Sequence, residues 1–179
     1  MGPLTKDLMI SALHALNQKL ELSRPRGKVS LVLGGGGAMI LAHGFPRGTT
    51  DIDAIPRGLD PEILSPMIRE VSSELNLPAD WMNPHFSTFS HVLPPDYGNR
   101  LIEVFHESLL RVEALGKEDM LIMKCFAGRP KDIPHARALL RAVIKTEIVE
   151  GRLSHLLCRR IPGSEKAIDF LQELLDELE

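Results

Sequence analysis

The stretch GKVSLVLGGGGAMILAHGFPRGTTDIDAI, residues 27–55, joins an apolar run, four consecutive glycines and two aspartates spaced i, i+2. Val29–Leu33 is rich in β-formers and reads as a buried strand. Ala38–His43 allows only a short helix before Gly44 and Pro46. Thr50–Ile55 alternates Ile52 and Ala54 with Asp51 and Asp53, the pattern of a half-buried strand. Glycines after a strand point to phosphate, but three unrelated folds use them. A P-loop requires Lys-Ser/Thr after its last glycine, and none follows here. A dinucleotide fold requires Gly-x-Gly-x-x-Gly opening a full helix. Gly34 and Gly36 fill its first two places and Asp53 stands at a suitable distance. Met39 occupies the third place, however (Ile40 when counted from Gly35), and no βαβ alternation continues past Ile55.

The remaining reading fits better: a Gly-Gly pair ends a strand, a short helix follows, and a second strand carries Asp-x-Asp. Residues i and i+2 of a strand share a face, so Asp51 and Asp53 bring two carboxylates together. Two such anions repel unless a cation lies between them. Mg²⁺ suits that place, because it binds one or two carboxylates and completes its shell with substrate phosphates. Glycines allow backbone N–H groups to approach a triphosphate without a Cβ in the way. A third acid on a neighbouring strand would complete a two-metal site able to activate a hydroxyl for attack on the α-phosphorus.

The run GGGGAMILAHGFPRGTTDIDAI resembles the Gly-Gly…Asp-x-Asp signature of the DNA polymerase β-like nucleotidyltransferase superfamily, with thirteen residues between Gly37 and Asp51. A downstream stretch, EDMLIMKCFAGRPKDIPHARALL (118–140), and DWMNP (80–84) are similar to a narrower group. These are the small bacterial nucleotidyltransferase-like proteins of toxin–antitoxin and abortive-infection systems. The resemblance covers residues 28–141. It implies that Gly36 and Gly37 contact the triphosphate of an NTP and that Asp51 and Asp53 bind Mg²⁺. It also implies that Lys124 lies near the nucleotide phosphates, that Asp132 supports the same site, and that Arg129 is a further phosphate contact. Glu103, in Ile-Glu-Val, is the preferred third catalytic and metal-binding carboxylate, with Glu113, in Val-Glu-Ala, as the alternative. The related pattern often carries a second acid three residues after Asp132, where this chain has His135. The implied fold is α/β (α+β): a small mixed sheet with flanking helices and a C-terminal helical extension.

Working outward, residues 4–23 place apolar side chains at helical spacing, and 61–75 form a second amphipathic helix beginning at a proline. Residues 76–99 read as loop plus one short strand, with Trp81 as an anchor. Residues 100–105 and 109–115 read as a hairpin. Helices are expected over 117–127, 133–149 and 164–178. The organisation is a nucleotidyltransferase-like core over 1–116 and a helical region over 117–179 packed on it. Simpler readings stand beside the chemical ones: a flexible glycine turn, a solvated aspartate face, and Lys124, Arg129 and Lys131 as surface cations. His43 is read as a packing residue, and the seven histidines show no zinc spacing.

The net charge is −3, unevenly spread. Residues 124–160 hold nine Lys/Arg against three acids, while residues 165–179 hold six acids and one lysine. A basic region beside an acidic tail fits an anionic partner such as RNA. It equally fits two solvated helix faces. The tail sets Ile168, Leu171, Leu175 and Leu178 on one stripe, suited to packing on its own core or to a partner. Cys125 and Cys158 read as buried thiols, no apolar run approaches the length of a membrane span, and no signal peptide is read at the N-terminus. A cytoplasmic protein without membrane partners is expected. Two functions follow. The first is Mg²⁺-dependent transfer of a nucleoside monophosphate from an NTP to a hydroxyl of RNA, such as a tRNA end, or of protein. The second is an inactive binding module on the same fold, acting with a cognate toxin–antitoxin partner.

Overall fold

In the computed structural model, which describes residues 2–25, 27–46, 48–57, 61–142 and 145–177, the glycine stretch joins strand β1 (Val29–Leu33) to helix α2 (Gly35–Leu41). Strand β2 (Ile52–Arg57) returns antiparallel to β1, with Leu33 opposite Ala54. The expected strand–glycine–helix–strand order is therefore present. The chain divides into two compact units, residues 1–87 with 101–115 and residues 88–100 with 116–179.

The first unit is built on a five-stranded mixed sheet in the order β3-β2-β1-β5-β4. Strand β3 (Met82–Asn83) runs parallel to β2, and β5 (Leu110–Ala114) runs parallel to β1. Strand β4 (Ile102–His106) is the antiparallel partner of β5 and forms an edge. Alternation sets the two faces apart. Leu31, Leu33, Ile52, Ala54, Leu110 and Val112 are buried and share one face, whereas Asp53, Arg111 and Glu113 project from the other. Helices α1 (Lys6–Ser23) and α3 (Pro61–Leu75) pack against each other on the apolar side. A cavity of about 300 Å³ lies there, lined by Leu31, Ala54, Leu64, Ile68 and Met82.

Helix α1 starts two residues later than the apolar spacing predicts. Thr5 caps it, its hydroxyl accepting from the Leu8 N–H at 3.3 Å, which leaves Leu4 outside. Leu4 exchanges backbone hydrogen bonds with Thr49 instead and so tethers the segment that leads into Asp51. Asn17 is buried in the middle of α1 because its Oδ1 accepts the N–H groups of both Leu109 and Leu110 at 3.1 Å.

The second unit is helical. Helix α4 (Lys117–Ala127) is its centre, with Met120–Cys125 all buried. Helices α5 (Ile133–Arg141), α6 (Thr146–Cys158) and α7 (Ser164–Asp176) pack around it. The helix expected over 133–149 is thus two helices. Helix α5 closes where the Ala142 N–H reaches Leu139 O, and α6 begins after Lys145, whose N–H donates to Glu118. Residues 143 and 144 of that expectation, and Leu178 of the tail stripe, lie outside the described residues. The buried face of α7 is Ala167, Leu171 and Leu174, turned toward α4 and α6, so the tail packs within its own unit. Arg137 on α5 also grips Glu177 with two hydrogen bonds of 2.7 Å.

Residues 88–100 are bound into this unit by two arginines. Arg152 donates to the carbonyls of His91, Val92 and Leu93, and Arg100 bridges Asp96 and the fully buried Asp119. Cys125 is buried as expected, but Cys158 is exposed at the end of α6. No helix among the described residues is long and apolar enough to cross a membrane.

Candidate functional site

Asp51 and Asp53 stand at the N-terminal end of β2, beside the turn between β1 and α2. Both are half-buried. Strand β3 fixes the pair from the other side, with Asn83 in register with Asp53 and its Nδ2 donating to Asp51 Oδ2 at 2.8 Å. The Oδ1 of Asn83 accepts the His85 N–H at 2.9 Å. Carboxylate oxygens of Asp51 and Asp53 and an imidazole nitrogen of His85 lie within 4.8 Å of one another. Ligands about 2.1 Å from one ion stand roughly 3–4 Å apart, so this donor set fits a divalent cation with small side-chain adjustment.

The glycines serve this cluster in a different order from the one expected. Gly35, at φ +58, is the residue against Asp53: a Cβ there would lie 1.9 Å from Asp53 Oδ2. Gly36 faces Thr49, whose Oγ1 a Cβ would meet at 2.4 Å. Gly37 is buried with ordinary clearance, since a Cβ placed there would lie 3.4 Å from Ile52 Cγ2, and works in packing α2 onto β2. Gly34 lies under the Phe86 ring, 2.9 Å from its Cγ to a Cβ placed there. The bare backbone beside the carboxylates is therefore Gly35–Gly36, one residue earlier than the Gly36–Gly37 pair read from the sequence.

The structure does not bring Glu103 to the aspartates. Register places Ile55, Val32, Glu113 and Glu103 in one row across the sheet, one rung from Asp53. Strand spacing then sets Glu113 about 12 Å and Glu103 about 16 Å from Asp53, measured between Cα positions. Both acids engage Arg111 instead, at 2.9 Å and 2.8 Å respectively. His85 was missed because it lies 32 residues beyond Asp53, with no local spacing to link them. Its only local signal is Asn83-Pro84-His85 directly after a short strand.

Lys124, Arg129 and Asp132 come together in the second unit. Lys124 is buried rather than a surface cation, and its Nζ lies 2.6 Å from Asp132 Oδ1. Arg129, half-exposed, donates through Nε to Asp132 Oδ2 at 2.6 Å. Gly128, left-handed at φ 55, ends α4 and turns the chain back so that Arg129 can reach the same carboxylate. Burial acts most strongly on the Asp132 carboxyl and raises it. The hydrogen bonds from Arg129 and Lys124 together outweigh burial and hold it below the usual carboxylate range. Trp81 is a core anchor, its Nε1 donating to Ile68 O at 2.9 Å, and His43 packs with its Nε2 2.9 Å from Leu115 O.

A family described as "Nucleotidyltransferase of unknown function (DUF6036)" matches residues 11–173. The chain belongs to this family. That membership agrees with the glycine turn and Asp-x-Asp pair of the first unit and with the superfamily resemblance read from them. The chain is also 39% identical to a polyphosphate kinase of Campylobacter jejuni subsp. jejuni serotype O:23/36 over 109 residues, 61% of this chain and 14% of the kinase. A polyphosphate kinase of Campylobacter coli is 39% identical over 59 residues, 33% of this chain and 8% of the kinase. The match thus spans only a small part of those relatives' length. No solved structure matches the chain with significance.

Proposed function

We propose that the protein transfers a nucleoside monophosphate from an NTP to a hydroxyl group, with a divalent cation held by Asp51 and Asp53. The observation that carries this reading is the convergence of the two carboxylates with the glycine turn. Gly35 leaves the room that the Asp53 carboxylate occupies, since a Cβ there would lie 1.9 Å from its Oδ2. A bound cation would neutralise the phosphates and lower the cost of a hydroxyl attacking the α-phosphorus. Two carboxylates and a triphosphate are the oxygen shell that suits Mg²⁺. The chain's own residues do the rest. Asn83 holds Asp51 in place, the half-buried Gly35–Gly36 backbone lies beside the carboxylates, and Asp53 is fixed by its strand register. Lys124, Arg129 and Asp132 pair with one another in the second unit, and their proposed role as nucleotide contacts rests on the sequence resemblance alone. The acceptor is a hydroxyl of RNA or protein, favoured on the RNA side by the basic residues between 124 and 160, in a bacterial toxin–antitoxin or defence setting.

A labelled-NTP assay with Mg²⁺ and cell extract tests the reading. Wild type should label a macromolecule, and an Asp51→Ala/Asp53→Ala double variant should not. Equal labelling by both, or none by either, would refute it. The position of Glu103 and Glu113 on Arg111 favours a second reading, a module that binds nucleotide without transferring it. NTP binding by calorimetry without labelling of any acceptor is the result that reading requires.

A further inference from the structure

His85 changes the chemistry of the proposed metal site. A site of two aspartates completed by a third carboxylate is an all-oxygen site. Here the acids offered by the sequence for the third place are held by Arg111 on distant strands. The group that closes on Asp51 and Asp53 is an imidazole. Its placement is built into the chain. Strand β3 ends at Asn83, Pro84 fixes the backbone, and a 3₁₀ turn begins at His85. The next residue, Phe86, is buried with its ring over Gly34, which anchors that turn against the glycine stretch. Asn83 holds two members of the set at once, Asp51 through its side chain N–H and His85 through its backbone N–H. Support of this kind for ligands by a neighbouring hydrogen-bonding residue is what orients a metal's first shell.

We infer that His85 supplies a nitrogen ligand beside Asp51 and Asp53, and that the site therefore favours a first-row transition ion, Mn²⁺, over Mg²⁺. The inference rests on the metal-dependent reading above. Mg²⁺ takes oxygen ligands in a rigid octahedron and gains little from an imidazole. Manganese accepts carboxylate and water as Mg²⁺ does, and first-row ions accept imidazole as well. A mixed oxygen–nitrogen set consequently separates the two ions. Asn83 is a positioning residue in this scheme, acting through Asp51 and His85.

The test uses the full chain, titrated with Mn²⁺ alone and with Mg²⁺ alone, with circular dichroism to show that each variant is folded. Wild type should bind Mn²⁺ at least tenfold more tightly than Mg²⁺. Electron spin-echo spectra of its bound Mn²⁺ should carry the modulation of a directly coordinated ¹⁴N. The His85→Ala variant should lose that modulation and about tenfold or more in Mn²⁺ affinity, with Mg²⁺ affinity moving less than threefold. His85→Asp restores an oxygen ligand and should reverse the preference. Persistence of the ¹⁴N modulation in His85→Ala, or an unchanged Mn²⁺ affinity, would overturn the role of His85. If the Asp51→Ala/Asp53→Ala variant still loses all metal in that case, the metal-dependent reading survives without it. If wild type and the double-aspartate variant bind Mn²⁺ alike, that reading falls, and this inference with it.

Discussion

Replacing Gly35 by alanine tests how the glycine turn is used. Alanine at φ +58 costs about 1–2 kcal/mol, because its Cβ approaches the backbone carbonyl in the left-handed region. Its Cβ would also lie 1.9 Å from Asp53 Oδ2, where non-bonded heavy atoms stand about 3.5 Å apart, so the carboxylate must retreat by about 1.5 Å. Metal sites tolerate displacements of about 0.2 Å. The expected result is a loss of about 2–3 kcal/mol of stability, or roughly 4–12 °C in Tm for a chain of this size, together with metal affinity reduced at least tenfold. Two positions along, Gly37→Ala meets ordinary contact at 3.4 Å inside α2, and the gain in helix propensity should make it neutral or stabilising by about 0.5–1 kcal/mol. Urea unfolding and Mn²⁺ titration of the two variants read both effects. Wild-type stability and metal affinity in Gly35→Ala, or a larger cost at Gly37, would refute the assignment of Gly35 to the carboxylate.

Arg100→Ala strands the fully buried Asp119 and should cost about 3–5 kcal/mol in chemical unfolding, whereas Glu103→Ala, at its exposed pair with Arg111, should cost under about 1 kcal/mol. Because the Asp132 carboxyl is held below its ordinary value of 3.8, the unfolded chain binds the extra proton. The stability Asp132 lends is thus present above about pH 4 and is lost as pH falls below that. An Asp132→Asn variant should be less stable near neutrality, with Lys124 left unpaired, and should show a flatter acid limb; an unchanged limb in pH-dependent unfolding would count against the pairing. Cys158 should react with an aromatic disulfide reagent in the native protein. Cys125, buried with its thiol pushed up to about 12, should react only on unfolding.

What could be read from residue order was what lies close along the chain. The glycines, the short helix and Asp51 with Asp53 fall within one continuous stretch, and period-2 alternation fixed which side the aspartates take. The third member of the cluster could not be found that way. Glu103 and Glu113 both sit in hydrophobic–acid–hydrophobic strands, and only the sheet order, with β1 and β5 between β2 and β4, shows how far they are from β2. His85 joins the cluster through the parallel β2–β3 pairing, which spans 30 residues and leaves no periodic trace. Nothing in the order of four identical residues separates Gly35 from Gly37; the positive φ of Gly35 distinguishes it in the structure alone. Lys124 was legible as a group with Asp132, but its burial depends on α4 being surrounded by three later helices.

The segment 88–100 has a history during synthesis. Val92 and Leu93 are buried in the finished protein, and their carbonyls are held by Arg152, which follows Val92 by 60 residues. At about 5–20 residues per second, the ribosome takes roughly 3–12 s to cover that distance. Through this interval the nascent chain displays Val92 and Leu93 without the arginine that will bind their carbonyls. A chaperone that recognises short apolar segments has a target there, and a slow codon run before residue 152 would lengthen the exposure.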